Sequence, residues 1–214
     1  EEWERDIWEN DPWGRTRYGV PPNEYGDYAF VQHMIASMAE TSTSRMAMVL
    51  PQGALFRGNA EGKIREAILR EDLIEAVISL PPNLFYGTGQ FGTVLILRSN
   101  KPKARKNKVL IIDAENLYRK GRAQNFLDPE HSKQIVEGFQ TFEDVEDRAK
   151  VVSLEEIKNA GWVLNTACYV QPPIGEDIPP LPDAVAAFKD ALTEARTAED
   201  HLRTVLTEGG WLND

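Results

Sequence analysis

Few side chains in this sequence have the types and spacing that metal binding or nucleophilic catalysis requires. The three histidines, His33, His131 and His201, stand far apart, and no cluster of histidines and carboxylates has metal-ligand spacing. Cys168 is the single cysteine, so an intramolecular disulfide and a Cys-rich zinc site are excluded. We interpret Cys168 as a small buried residue and His33 as a packed or surface residue, so the sequence predicts no metal site.

Three basic residues, Arg57, Lys63 and Arg65, follow an apolar run at residues 45–50. If that run is a strand in a doubly wound sheet, ligands gather at the loop that follows it, and the next helix offers backbone amides to a phosphate. These residues are therefore candidates for contacting a nucleic-acid backbone. The alternative is a solvated helix face on which neighbouring glutamates form local ion pairs of little energy.

Charge is segregated along the chain, although the net charge is −10. Residues 41–126 hold 14 basic and 7 acidic side chains, a net charge of +7, and the segments on both sides of them are acidic. The basic segment is a candidate face for a polyanion. The alternative is a solvated linker, because five of its basic residues lie within residues 101–108.

Composition and length indicate a globular chain of one domain, or of one domain with a small appendage. The 214 residues are 42% apolar and 27% charged. No apolar run approaches the ~20 residues of a membrane span, and the acidic first residues are unlike a signal peptide. We therefore expect a protein of a reducing compartment, the cytoplasm, without membrane contact. Because the chain does not begin with Met, we expect a piece of a longer protein.

The elements that must position these residues alternate between helix and strand. Apolar periodicity predicts helices at 28–39, after an N-cap at Asp27, and at 60–70. Continuous apolar runs predict buried strands at 45–50, 73–80, 92–97 and 109–113. This alternation favours an α/β fold with a parallel sheet covered by helices. The loop between 80 and 92 is too short for a helical crossover, so the strand at 92–97 should run antiparallel to the one at 73–80.

Five stretches of sequence carry a resemblance to a known family. The block Leu80–Gly89 is the most specific, because consecutive residues match and not only a pattern of Gly and Pro. From about residue 10 to about residue 145 the chain resembles the modification (methyltransferase) subunit of type I restriction–modification systems, an adenine-N6 DNA methyltransferase. The family usually has Ile-Pro after this block, where the chain has Gln90-Phe91. The matching stretches are Tyr18–Pro22, Asp27–His33, Val49–Gly58, Glu61–Arg65 and Leu80–Gly89.

The resemblance implies the C-terminal half of a Rossmann-like, S-adenosylmethionine-dependent methyltransferase sheet that ends in an antiparallel hairpin. Methylating an adenine inside double-stranded DNA requires the base to leave the stack. In related enzymes, an aromatic residue between the last two strands packs on that base. Here the implied target-base pocket is Phe85, Tyr86, Gly87, Thr88 and Gly89, with Phe85 as the stacking residue. The alternative is that Phe85 fills the core and Tyr86 points outward.

Two motifs of the family are absent from these residues. One is the Gly-rich turn that holds the methionine part of S-adenosylmethionine, and the other is Asn-Pro-Pro-Phe, which holds the target amine. The similar stretch Asn10–Trp13 lacks the second proline, and we attribute the similarity to chance. We therefore expect no catalytic or cofactor-binding residue here. The chain alone should be inactive, with S-adenosylmethionine bound by the full subunit.

Three segments are predicted: the downstream catalytic domain (1–126), a mixed connecting region (127–182) and a C-terminal helix (183–214). The connecting region should hold a helix at 129–142 that Asp128 caps, a short helix at 154–159, strands at 151–152 and 167–170, and a Pro-rich linker at 171–182. Apolar residues of the last helix alternate steps of three and four, broken only at a glutamate, as in a heptad seam. The seam positions are Val185, Phe188, Leu192, Ala195, Glu199, Leu202 and Leu206.

The resemblance also implies partners beyond double-stranded DNA: a specificity subunit, a restriction subunit and a second methyltransferase subunit. The C-terminal helix is our candidate for contacting the specificity subunit, and the alternative is a helix that packs on its own domain. Two other functions stay open. One is an RNA or protein N-methyltransferase, and the other is a non-enzymatic module for assembly with the specificity subunit.

Overall fold

A computed structural model describes residues 5–170 and 179–211 of the chain. The chain divides into two compact units, the first up to Pro172 and the second from Pro173. Most of the predicted Pro-rich linker, residues 171–178, lies outside the described residues. Within the described residues, no helix combines the length and apolar character needed to cross a membrane.

The first unit has the α/β alternation that the sequence predicts. The four strands predicted at 45–50, 73–80, 92–97 and 109–113 begin and end within one residue of the observed ones, because each is a continuous apolar run bounded by polar residues, Gly or Pro. Its elements are α1 (Arg5–Glu9), α2 (Asp27–Ser37), β1 (Arg45–Pro51), α3 (Asn59–Arg70), β2 (Ile74–Ser79), β3 (Gly92–Arg98), β4 (Lys108–Asp113), β5 (Arg119–Lys120), β6 (Asn125–Phe126), α4 (Pro129–Thr141), β7 (Ala149–Ser153) and α5 (Leu154–Asn159).

Five strands form the main sheet, in the order β1-β3-β2-β4-β7. The predicted antiparallel pairing of β2 with β3 is confirmed. β3 lies between β1 and β2 and is antiparallel to both, whereas β2 and β4 are parallel. The sheet continues beyond the hairpin, because β4 and then the antiparallel β7 are added on the far side of β2.

Side chains of the central strands alternate between two cores on the two faces of the sheet. Val77 and Ile111 belong to the core that α2, α3 and α5 cover. Ile78 and Ile112 belong to a second core, against which Phe139 of α4 packs. Because β2 is buried on both faces, its sequence is nearly continuously apolar rather than alternating.

One buried charge interrupts this pattern at the amino-terminal end of β2. Glu75 has no exposed surface, and three guanidinium groups approach its carboxylate, those of Arg45, Arg98 and Arg105. Lys101 is also buried and donates to Asp72 Oδ1 at 2.6 Å, while burial lowers the pKa of its amine. The solvated-linker interpretation of residues 101–108 is therefore wrong for Lys101 and Arg105.

Other local predictions also need correction. The cap of α2 is Gly26, because the carboxylate of Asp27 binds Arg57 instead of capping the helix. Phe30 belongs to the predicted apolar stripe of this helix but is 67% exposed. Residues 166–168 form one 3₁₀ turn in place of the predicted strand, since Tyr169 and Val170 donate their N–H groups to Thr166 O. Cys168 is exposed rather than buried.

Two helix starts in the connecting region agree with the sequence. Pro129 opens α4 after Asp128, whose backbone N–H donates to His131 Nδ1 at 3.1 Å. His131 thus has a capping role. Ser153 caps α5 by accepting a hydrogen bond from the N–H of Glu156 at 3.2 Å.

The second unit contains the predicted C-terminal helix, α6 (Leu181–Glu208), which ends at Gly209. None of its residues is buried. Along the predicted seam, Phe188 is 67% and Leu202 is 57% exposed. Its apolar seam residues thus form an exposed stripe on one side of the helix.

Candidate nucleic-acid interface

The loop of residues 80–91 leaves the carboxyl end of β2 and is anchored at its base. Leu80 donates its N–H to Gly92 O at 3.0 Å, which closes the hairpin. β6 supports the next residues, because the Asn125 side chain donates to Pro82 O at 2.8 Å and its N–H donates to Asn83 O at 2.8 Å. The tip of the loop, residues 86–90, is exposed. A fixed base therefore presents an exposed tip.

Phe85 and Tyr86 point in different directions. Phe85 is half-buried against the second core, and a Cβ at Gly92 would lie 2.6 Å from its ring, so the glycine makes room for it. Tyr86 is 96% exposed. Gly87 has φ +78°, a conformation that favours glycine. The loop thus uses one aromatic ring as an anchor and leaves the other free.

A cleft of about 470 Å³ lies under this loop. The structure therefore brings together all five residues of the predicted base pocket. The same cleft is also lined by Asn83, Ala123 and Gln124, which were not part of the predicted base pocket. Ala123 and Gln124 were missed because they reach this cleft from a separate part of the chain.

Arg65 does not have the exposed position that a phosphate contact requires. It is 1% exposed, and its guanidinium donates to three backbone carbonyls: Trp162 O at 2.7 Å, Arg57 O at 2.9 Å and Ala54 O at 3.1 Å. The prediction that Arg65 contacts a phosphate backbone is wrong for this structure. Its physical role is to satisfy carbonyls of the segment before α3 and of the segment after α5.

Arg57 and Lys63 differ in how free their charges are. The Arg57 guanidinium binds both Glu61 and Asp27 and stacks over Tyr25, 4.1 Å from the ring centre. At Gly53, two residues after β1, a Cβ would overlap the end of the Arg57 side chain. The hydrogen bonds with Glu61 hold the pKa of Arg57 above its usual range. Two carboxylates therefore already neutralise Arg57, whereas Lys63 is exposed on α3.

A group of polar residues that the sequence prediction missed lies at the carboxyl ends of β1 and β4. Gln52 Nε2 donates to Glu115 Oε1 at 3.3 Å, and the Glu115 N–H donates to Asp113 Oδ1 at 2.9 Å. Burial, together with the nearby Asp113 charge, raises the pKa of Glu115. The sequence did contain a signal for this group: Asp113 and Glu115 stand at the carboxyl end of the apolar strand β4, where ligands gather in such sheets.

The sequence model of the family described as N-6 DNA Methylase matches residues 1–177, which is most of the chain. The chain therefore belongs to the N-6 DNA methylase family, and the family predicted from the sequence is confirmed.

Similar proteins are methylase subunits of type I restriction enzymes. The MjaIX subunit of Methanocaldococcus jannaschii is 35% identical over 204 residues, which cover 91% of this chain and 36% of that subunit. The HindI subunit of Haemophilus influenzae is 35% identical over 177 residues, which cover 79% of this chain and 39% of that subunit. The chain thus spans little more than a third of either relative.

Solved structures show the same fold. The type I restriction–modification methyltransferase subunit of Streptococcus thermophilus superposes with a TM-score of 0.73 at 36% identity, over 79% of this chain and 36% of that one. The EcoKI M protein superposes with a TM-score of 0.56 at 21% identity, over 88% of this chain and 45% of that one. The second likeness concerns the fold alone.

Proposed function

We propose that this chain is the downstream part of the catalytic domain of a type I adenine-N6 DNA methyltransferase subunit. The full subunit would transfer a methyl group from S-adenosylmethionine to adenine in double-stranded DNA. The observation that carries the proposal is the match to the Streptococcus thermophilus subunit, in sequence and in fold, over 79% of the chain. The specific block Leu80–Gly89 supports it, because it forms the exposed loop at the carboxyl edge of the sheet.

The rest of the catalytic domain would pair with β1. Among the described residues, β1 pairs only with β3, which leaves its other edge open. Val49 on this strand is 53% exposed, and Phe30 on α2 is 67% exposed. Proteins normally cover such an edge. The covering part would carry the glycine turn for S-adenosylmethionine and the residues that hold the amine, so the present chain alone is inactive.

The loop under which the 470 Å³ cleft lies would form one wall of the target-base pocket. Phe85 lines that cleft while packing on the second core, and Tyr86 presents a free ring beside it. An aromatic ring that stacks on an extruded base contributes about 1–3 kcal/mol. Gly87, Thr88 and Gly89 complete the wall without bulky side chains. Of the three predicted backbone contacts, Lys63 remains our proposal because its charge is exposed.

The apolar stripe of α6 would join this chain to other subunits. We propose the helices of a specificity subunit as its partner, in a complex with a restriction subunit and a second methyltransferase subunit. The support is the exposure of the seam, which includes Leu192 at 39% and Val185 at 42%. The chain also shares its fold with a solved structure whose description concerns complex assembly of the type I restriction–modification system.

Methyl transfer by the full-length subunit, purified with its specificity subunit, tests the function. We expect labelled methyl to pass from S-adenosylmethionine to duplex DNA and not to RNA or protein substrates. Transfer to RNA or protein alone would contradict the proposal. Gel filtration of the subunit with and without the specificity subunit tests the assembly role separately.

The base contact has its own test in the same complex. Phe85→Leu keeps an apolar side chain on the second core but removes the ring. We expect slower methylation and a smaller rise in fluorescence from 2-aminopurine placed at the target base. If both measurements stay unchanged, Phe85 does not contact the base.

A further inference from the structure

Most basic side chains of residues 41–126 are already bound within the molecule. Seven of the 14 form ion pairs with carboxylates, and the buried Arg65 donates to backbone carbonyls. Within the described residues, the other six form no ion pair, so the charge available to a polyanion comes from them. The seven ion-paired residues are Arg45, Arg57, Arg70, Arg98, Lys101, Arg105 and Arg119.

The six basic residues without an ion pair stand at three places in the fold. Lys63 lies on α3 and is already proposed as a phosphate contact. Lys120 and Arg122 lie on the hairpin that β5 and β6 form, residues 119–126, which we call the basic hairpin. The remaining three precede β4 or stand at its first residue, and these are Lys103, Lys106 and Lys108.

The basic hairpin is fixed to the loop 80–91 at the carboxyl edge of the sheet. Asn125 donates one hydrogen bond to Pro82 O and one to Asn83 O, each 2.8 Å long. The turn of the hairpin also lines the cleft of about 470 Å³ under the loop. The loop and the basic hairpin therefore form one surface. The three lysines at the start of β4 lie at the other end of this strand, about 20 Å along its length.

The turn of the basic hairpin is tightly closed. Arg119 stacks over Phe126, 4.7 Å from the ring centre, and its Nε donates to Asp128 Oδ2 at 2.7 Å. A Cβ at Gly121 would lie 2.5 Å from the same ring, so the turn has room only for glycine there. Asp128 thus neutralises Arg119, whereas the other two basic residues of the hairpin are exposed. A closely packed backbone therefore presents two unpaired cations.

Electrostatics favour a polyanion on this surface. The loop 80–91 contains no charged residue, and residues 116–127 contain three basic and no acidic side chains. With Arg119 paired, the positive charges of Lys120 and Arg122 remain uncompensated among the described residues. Duplex DNA is the polyanion of the proposed function, and its phosphates attract Lys and Arg whatever the base sequence.

We propose that the basic hairpin binds the phosphate backbone of duplex DNA beside the loop 80–91, with Lys120 and Arg122 each contacting a phosphate. This inference rests on the proposed function and adds a backbone-binding element to the same site. Contacts of this kind position a protein on the duplex without reading its sequence. Asn125 positions the hairpin against the loop, and the ion pair of Arg119 with Asp128 stiffens it.

The salt dependence of DNA binding measures the number of phosphate contacts. Each contact contributes about −0.9 to the slope of log affinity against log salt concentration. In the full subunit with its specificity subunit, Lys120→Gln and Arg122→Gln should each make this slope shallower by about 0.9 and weaken binding about 5-fold at physiological salt. The double variant should lose about 1.8 in slope and about 30-fold in affinity. The loss should be equal on target and on unrelated duplexes.

The double variant Lys103→Gln with Lys106→Gln is the matched control, because it removes the same charge from the opposite end of β4. It should leave the slope unchanged. Lys120→Arg and Arg122→Lys keep the charge and should keep the slope. An equal loss in the control would overturn the inference, since net charge rather than contact would then explain the effect. An unchanged slope in the hairpin double variant would overturn it as well.

A second readout locates the contacted phosphates. A methylphosphonate removes the charge of one phosphate, and this replacement is moved along both strands of the duplex. At a contacted position, it should weaken binding by the wild-type complex about 5-fold. It should have no effect on the Gln variant that has lost the partner side chain. If no position shows this difference, neither side chain contacts a phosphate and the inference is wrong.

The two proposals fail in different ways. If the wild-type complex transfers no methyl group to duplex DNA, the proposed function is wrong. If it methylates DNA but the hairpin variants bind like the control, only the assignment of the basic hairpin is wrong.

Discussion

The Arg65→Leu variant distinguishes a structural role of Arg65 in the core from a contact between Arg65 and nucleic acid. The sequence places Arg65 with Arg57 and Lys63 as a phosphate contact, whereas the structure buries it against three carbonyls. A phosphate contact predicts weaker DNA binding with unchanged folding stability. A buried structural role predicts a large loss of stability.

The expected loss of stability depends on which of the three carbonyls still has a hydrogen-bond donor in the variant. Ala54 O also accepts the Tyr28 hydroxyl at 2.9 Å, so it stays satisfied without Arg65. Trp162 O and Arg57 O lose the guanidinium donor, and each buried unsatisfied acceptor costs about 1–3 kcal/mol. Arg65→Leu should therefore lower the free energy of unfolding by about 2–6 kcal/mol.

Urea unfolding of the chain, followed by tryptophan fluorescence and circular dichroism, measures this loss. Lys63→Leu on the same helix is the control, and its exposed position predicts a change within about 0.5 kcal/mol. The reasoning would be refuted by equal unfolding midpoints for the two variants. It would also be refuted if Arg65→Leu weakened DNA binding by the full complex without changing stability.

Three further variants probe other parts of the molecule. Gly92→Ala places a Cβ 2.6 Å from the Phe85 ring, so the ring must move by about 1 Å. This displacement should slow methylation by the full complex on the order of 100-fold. Burial raises the pKa of Glu115 in the folded chain. The stability that its protonated form contributes is therefore fully present below the usual Glu pKa, and it is lost as pH rises through the higher pKa of the folded chain. Glu115→Gln should therefore stabilise the chain near neutral pH, and this gain should shrink in acid unfolding curves; a gain independent of pH would contradict it. Leu192→Glu in the exposed stripe should weaken binding to the specificity subunit by about 30-fold or more in gel filtration or calorimetry. Thr197→Glu, which lies off the seam, should not weaken it. Equal effects of the two variants would argue against the stripe as the contact.

The order of elements could be predicted because burial on both faces leaves a direct signal in the sequence. β2 is buried throughout, and its run of apolar residues stands between polar residues and Pro81-Pro82. The pairing of β2 with β3 followed from the shortness of the loop between them. The position of β3 between β1 and β2 did not follow, because strand order depends on contacts between distant segments.

The candidate site was predicted less well than the fold. The loop block Leu80–Gly89 was found because many consecutive residues match one family. The basic residues were misjudged, because the sequence does not show which guanidinium meets a carboxylate or a buried carbonyl. Glu61 lies near Arg57 in sequence, but Trp162 is far from Arg65, and only folding brings its carbonyl within 2.7 Å.

By itself, the sequence determined the family, the α/β alternation, the loop before β3 and the amphipathic final helix. These features depend on local patterns and on residues that match in register. The tertiary structure alone decided that Arg65 is structural, that Glu75 is buried among arginines and that Asn125 holds the base of the loop 80–91. Each of these depends on long-range contacts, where burial and charge pairing are set by segments that are distant in the sequence.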